Sequence, residues 1–260
     1  MMNRIGISYL STVPLFLEPL HGDLALAIAT GFCWQHEETI FLVSNYHVLT
    51  GMHPETGQPL SEHGTTPDRL RVHLHDGDRL GRWLAHDFAL FDPQGRPLWQ
   101  EHPLHGPKVD IAAIPLSLPG GLHAYPVTSC QFDDIPIEVG QDVFIIGFPK
   151  GVTGAGRFPI WKRGNIASEP GIPLDGLPRL LVDTATKEGM SGSPVVVQFT
   201  GVHAKEPGQL AGDDWIGSGR AFLGIYSGRI ASSSQLEAQL GFVWRAEAIL
   251  ETVQSGRRPA

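Results

Sequence analysis

The chain has 260 residues, 42% of them hydrophobic, which suits a soluble globular protein with one large core or two medium ones and does not suit a disordered segment. A formal charge of -8 with only 19 Lys and Arg argues against electrostatic binding to nucleic acid or to an anionic membrane surface. Cys33 and Cys130 stand alone without CxxC spacing, so neither a zinc nor a redox motif is indicated, and no segment approaches the roughly 20 apolar residues of a membrane span.

The first apolar stretch, from Ile5 to Leu20, is interrupted by Pro14, Glu18 and Pro19 and is followed by no cleavage site, so it does not read as an export signal. Without an export signal or a disulfide framework, the expected compartment is the cytoplasm. The 31 glycines and 21 prolines divide the chain into short segments. Strands are expected at 12–18, 24–34, 39–44, 70–74, 111–116, 142–148, 160–168, 179–183, 194–199 and 221–226. Residues 51–108, rich in Gly, Pro, His and charge, read as long surface loops around one or two hairpins. A boundary between two halves falls near 119–125, giving an N-terminal unit over 1–120, a C-terminal unit over 121–253 and a tail over 254–260. Near the end, Ala246, Ile249, Leu250 and Val253 recur at helical spacing and predict one amphipathic helix.

Three stretches carry candidate chemistry. In "TKEGMSGSPVVVQF", Ser191 sits among Gly189, Gly192, Ser193 and Pro194 in a sharp turn before an apolar strand. In "FLVSNYHVLTG", His47 follows an apolar strand, where a side chain is both rigid and accessible. In "KVDIAAIPL", Asp110 precedes another such strand, where a carboxylate needs a partner. Taken singly, these are a turn serine, a strand-end histidine and a strand-edge carboxylate. A serine hydroxyl becomes a useful nucleophile only with a base, and the base needs a third group to fix its tautomer. Elsewhere, His73 and His75 lie two apart on one strand face, yet no third ligand is positioned, so both are expected to face solvent. His63, His86, His102 and His105 are expected at the surface. Neither a metal nor any other cofactor is expected.

In the order His47, Asp110, Ser191, separated by 63 and 81 residues, the three stretches resemble those of the chymotrypsin-like (trypsin-fold) serine proteases. The similarity is greater to the bacterial HtrA-like and glutamyl-endopeptidase-like branches. "LVSNYHV" resembles their T-N-x-H-V stretch, "VDIAAIPL" their D-I-A-x-L strand, "VDTATKEGMSGSPVV" their G-N-S-G-[GS]-P stretch, and "VFIIGFPKG" their I-G-[NF]-P-x-G turn. The resemblance covers roughly residues 12–252, and the insert between the His and Asp stretches matches nothing in it.

It implies an all-β fold of two six-stranded antiparallel Greek-key barrels, with the active site in the cleft between them, plus the C-terminal helix. It implies a serine endopeptidase in which Ser191 is the nucleophile, His47 the general base and then acid, and Asp110 its orienting carboxylate. The backbone N–H groups of Gly189 and Ser191 would form the oxyanion hole. Substrate-binding residues would be Ala185 at the pocket base, Thr186, Tyr226, Ser227, Gly228, Arg229 and Gly241. With Ala185 in place of a carboxylate, cleavage after Lys or Arg is not expected, and an acidic or a small aliphatic preference stay open. Val48 leaves Cys33 without the disulfide partner that animal relatives supply, in keeping with a reducing compartment.

Met190 stands where relatives carry Asp or Asn, which leads to the expectation of an oxyanion hole incomplete at rest and finished by substrate or by an activating protein partner. The expected partners are peptide or protein substrates, with no nucleic acid and no membrane. No PDZ segment is expected after the catalytic region. Two other readings remain: a catalytically silent protease-fold module that captures peptides, set apart by failure to label with a fluorophosphonate, and a metal-dependent hydrolase, set apart by sensitivity to chelators.

Overall fold

Alternation of buried and open side chains sets the first half of the computed structural model, which describes residues 7–77, 79–203, 215–229 and 239–259. On β5 (Arg69–Asp76), Leu70, Val72 and Leu74 point inward and are fully buried, while Arg69, Arg71 and His73 lie on the other face. β5 pairs with β1 (Pro14–His21), β1 with β3 (Ala29–His36), β3 with β4 (Thr39–Ser44), and β4 with β8 (Ala112–Leu116). β6 (Arg79–Ala89) and β7 (Gln100–Glu101) close the order β6-β5-β1-β3-β4-β8-β7, and β2 (Leu24–Ala25) and β9 (Leu122–His123) add to β1 and β5. All these pairings are antiparallel. The sheet wraps one core in which Leu70, Val72 and Leu74 of β5 pack with Ala112 and Ile114 of β8.

The second half is a closed six-stranded barrel, β10-β11-β12-β15-β14-β13, formed by β10 (Asp142–Gly147), β11 (Ile160–Ile166), β12 (Arg179–Asp183), β13 (Pro194–His203), β14 (Trp215–Arg229) and β15 (Leu240–Arg245). Closure leaves none of these six strands as an open edge, which removes the risk of pairing with other chains. Val143, Ile145, Val182, Met190, Val195, Val197 and Val243 fill its interior. A third apolar cluster joins the halves: Phe32 and Val43 from the first sheet, Ile111 beside it, Ile225 and Trp244 from the barrel, and Ile249 and Val253 from α2 (Ala246–Ser255).

The predicted strands therefore appear near their expected places, except that the one expected over 24–34 is divided into β2 and β3, and the hairpin expected within 51–108 is present. Residues 51–108 contain the long β5–β6 hairpin, registered from Arg69 opposite Ala89 to His75 opposite Trp83. β6 was hidden because its apolar residues do not alternate and only Trp83 is buried among them. α2 buries Ala248, Ile249, Thr252 and Val253, whereas Leu250, expected on the buried face, is exposed. His75 does not face solvent: it is fully buried, its ring 3.8 Å from that of Trp83 and its Nε2 2.9 Å from the carbonyl of Thr12. His102 is buried as well, its Nε2 2.7 Å from Glu251 Oε2 on α2, because the chain around it folds under the helix instead of projecting from it.

Candidate active site

Strand β4 ends at buried Ser44, and the chain then turns through Asn45 into the short helix α1 (Tyr46–Thr50), stopped by Gly51 at φ +67°. Backbone N–H groups at a helix start lack intrahelical acceptors. For His47 the acceptor is Asp110 Oδ1, 3.0 Å away. Asp110 Oδ2 lies 2.7 Å from His47 Nδ1 and also accepts the hydroxyl of Ser227, while Asn45 Nδ2 donates to the Asp110 carbonyl at 2.8 Å. Asp110 is 2% exposed, so its charge is held by donors and not by water.

Because an ionised carboxylate only accepts, His47 Nδ1 carries the proton and Nε2 is left to accept one. Burial pulls His47 toward lower pKa, but the Asp110 charge and hydrogen bond outweigh it and hold the imidazole above its ordinary value. Burial likewise pushes Asp110 upward, and the His47 charge, with hydrogen bonds from His47 and Ser227, holds it below the usual carboxylate value.

Ser191 lies in the loop between β12 and β13, and two glycines shape that loop. Gly189 has φ +90° and Gly192 φ +84°, conformations that side chains disfavour. A Cβ on Gly189 would come within 2.3 Å of the Phe148 carbonyl oxygen, and one on Gly192 within 1.9 Å of that of Thr30. Thr30 of β3 ties the loop down: its N–H donates to the Ser191 carbonyl at 2.9 Å and its hydroxyl to the Gly189 carbonyl at 2.7 Å, while the Phe148 N–H donates to that hydroxyl at 3.2 Å. Ser44 Oγ in turn donates to the Thr30 carbonyl at 2.8 Å.

The same loop leaves two amides free. The carbonyl of Glu188 accepts the Lys150 N–H at 2.6 Å, and that of Met190 accepts the Ser193 N–H at 3.0 Å. In a planar trans peptide the N–H points opposite to the C=O. The N–H groups of Gly189 and Ser191 thus face away from these bonds, and neither has a protein acceptor among the described residues. Met190 itself is fully buried in the barrel core. The orientation of the peptide ahead of Gly189 is therefore set by the Lys150 backbone, and the Met190 side chain has no part in it. Ser191, His47 and Gly189 line one cleft of 790 Å³; no hydrogen bond joins Ser191 to His47 among the described residues. Such bonds are often long before substrate arrives and tighten in the complex.

The residues expected to bind substrate are placed as follows. Ala185 is exposed at the start of the loop. Thr186 and Tyr226 are buried, their hydroxyls hydrogen-bonded to each other. The Tyr226 ring lies over Gly241, where a Cβ would be 2.5 Å from it. The Ser227 side chain is committed to Asp110, and a Cβ on Gly228 would be 3.8 Å from Ser191 Oγ. Arg229 pairs with Gly241 through its backbone, and its side chain lies outside the described residues. Sequence reasoning missed Thr30, Ser44, Asn45 and Lys150. Nothing local separates a loop-tying strand threonine from an ordinary one, but "SNYHV" carries two polar residues directly after an apolar run, and "GFPKG" places Lys150 at φ +50° beside a glycine.

A family profile described as "Trypsin-like peptidase domain" matches residues 29–201. Among solved structures, the chain is similar to the serine endoprotease from Yersinia pestis, with 12% identity and a TM-score of 0.52 over 96% of this chain and 66% of that one. It is also similar to the active form of the Rv3671c protease from M. tuberculosis, with 18% identity and a TM-score of 0.49 over 96% of this chain and 84% of that one. No curated protein sequence matches it.

Proposed function

The chain belongs to the trypsin-like peptidase family, and from that premise we propose that it is a serine endopeptidase working through an acyl-enzyme, with Ser191, His47 and Asp110 as its triad. One observation carries the reading: the buried Asp110 carboxylate fixes His47 through Nδ1, in the same cleft as Ser191 and beside the Gly189 and Ser191 N–H groups, which have no acceptor among the described residues.

In acylation, Ser191 Oγ bonds to the scissile carbonyl carbon while its proton passes to His47 Nε2. The carbonyl oxygen becomes an oxyanion and is met by the Gly189 and Ser191 N–H groups, each such donor being worth roughly 10²–10³ in turnover. The C–N bond then breaks as the imidazolium returns its proton to the leaving amine. Water, deprotonated by His47, attacks the ester, and Ser191 recovers its proton as the acid product leaves. Asp110 stays ionised throughout and stabilises the imidazolium that forms twice per cycle.

On the acyl side, the buried Tyr226 ring, its hydroxyl hydrogen-bonded to Thr186 and its face against Gly241, takes up the space between these two substrate-binding candidates, which favours a small residue before the cleaved bond over a large or acidic one. The substrates are peptides or proteins. Two free cysteines support a reducing compartment, for which we propose the cytoplasm.

The test is turnover of a protein substrate by Ser191→Ala, His47→Ala and the double variant. All three should fall by a similar factor because triad members act as a unit. Retained turnover in Ser191→Ala would end this reading.

A further inference from the structure

The cleft of 790 Å³ beside Ser191 runs from the catalytic residues out between the β2–β3 loop and the insert. It is lined by Leu26 and Ile28 from the loop and by Leu60 and Pro67 from the insert, as well as by His47, Ser191 and the charged Glu18, Lys150 and Glu188. Ile28 and Leu60 are 39% and 51% exposed, so large apolar side chains from two separate segments stand open to water around one opening. Contiguous apolar surface of this kind marks a place where something else docks. Loops usually face solvent with polar residues, yet β2 and this loop together read "LALAI" from Leu24 to Ile28.

The other side of Ser191 is different in kind. The pairing of β14 with β15 passes from Tyr226 opposite Val243 directly to Arg229 opposite Gly241, leaving Ser227 and Gly228 out of the ladder next to the Ser191 hydroxyl. A peptide can add there as a strand through its backbone. A substrate whose carbonyl enters between the Gly189 and Ser191 N–H groups then has its acyl half along Ser227–Gly228 and its leaving half in the apolar cleft, where His47 protonates the departing amine.

Resting on the endopeptidase reading above, we propose that this cleft is the enzyme's main specificity site and that it takes large apolar side chains, such as Leu, Ile, Met or Phe, from the segment that follows the cleaved bond. The occupant is the substrate itself, because the cleft is continuous with the groups that would cut it. The insert thereby has a role: Leu60 and Pro67 build the wall facing the β2–β3 loop.

The experiment is digestion of an unbiased peptide mixture by the full chain, sequencing both new ends. New N-termini should be enriched several-fold in large apolar residues within their first three positions. Leu60→Asp and Ile28→Asp should lower kcat/KM for a peptide carrying Leu there at least ten-fold more than for a peptidyl methyl ester, whose leaving group does not reach the cleft. Leu60→Ala, a milder change at an exposed position, should move the same ratio less. No enrichment after the cut, or an equal fall for peptide and ester, would overturn the proposal. If neither ester hydrolysis nor fluorophosphonate labelling occurs, the endopeptidase reading fails by itself. The cleft is then judged by anisotropy with Ser191→Ala and a fluorescent Leu-rich peptide: weaker binding after Leu60→Asp supports it, and equal binding overturns it.

Discussion

The backbone N–H of Lys150 donates to the carbonyl of Glu188 at 2.6 Å, and through the planarity of that peptide it decides where the Gly189 N–H points. The donor comes from a turn with Lys150 at φ +50° and Gly151 at φ +73° in the stretch following β10, far in sequence from the serine loop. The N–H groups of Gly189 and Ser191 are thus oriented by backbone bonds, one from the turn at Lys150 and one from Ser193 within the same loop.

This bond changes the expectation for position 190. Met190→Asn would place an amide in the fully buried barrel core, where an unpaired polar group costs on the order of 1–3 kcal/mol. The expected result is a lower urea midpoint with no gain in hydrolysis of small peptide esters. A variant with higher basal ester turnover and unchanged stability would show that the side chain at 190 controls the hole after all.

Thr30 is a positioning residue, touching the loop on both sides of Ser191. Thr30→Val keeps the shape but leaves the Gly189 carbonyl and Phe148 N–H without their partner, a loss of about 1–3 kcal/mol. The effect should fall on kcat with KM little changed, since the oxyanion donors act in the transition state, and Thr30→Ser should restore most of it. A purely structural role would lower the melting temperature and leave kcat per folded molecule intact.

Activity should depend on pH through His47. The imidazole must be neutral to act as base, and Asp110 holds it above its ordinary 6.5, so kcat/KM should rise with pH through an apparent value above 6.5. Asp110→Asn should move that limb down and lower the plateau by about 10⁴-fold. For stability the signs differ between the partners. The raised His47 contributes fully below about 6.5 and loses its contribution as pH rises through its folded value, while the lowered Asp110 contributes above about 3.9 and loses it as pH falls through its own. Stability and activity profiles should therefore separate on the alkaline side. An acid limb below 6.5 in the wild type would contradict the pairing.

Both thiols are free, and burial pushes Cys33 up to about 12 and Cys130 to about 11. The native protein should resist alkylation at pH 8, and denatured, unreduced protein should titrate two thiols. A Cys33–Cys130 bridge detected by mass spectrometry would refute this and the proposed compartment.

Chain order made the site legible: three short stretches, each ambiguous alone, pointed to His47, Asp110 and Ser191, and the fold brings the first two into contact and the third into their cleft. What stayed hidden depends on long-range contacts. Thr30 acts through residues about 160 positions away, and Lys150 acts through a backbone N–H that any residue type would supply. β6 lacks alternation because most of its side chains are open, and α2 is rotated so that Thr252 is buried in place of Leu250, its hydroxyl satisfied by the Ala248 carbonyl at 2.7 Å. Polar residues buried with a local partner are the cases that hydrophobic patterning misreads.

Ser191 as the nucleophile is tested most directly by intact-mass and peptide mapping after treatment with a fluorophosphonate. A single phosphonyl adduct on Ser191 is expected, its formation slowed in His47→Ala and absent in Ser191→Ala, with loss of turnover in step with labelling. An adduct on any other residue, or undiminished turnover once Ser191 is fully labelled, would contradict it.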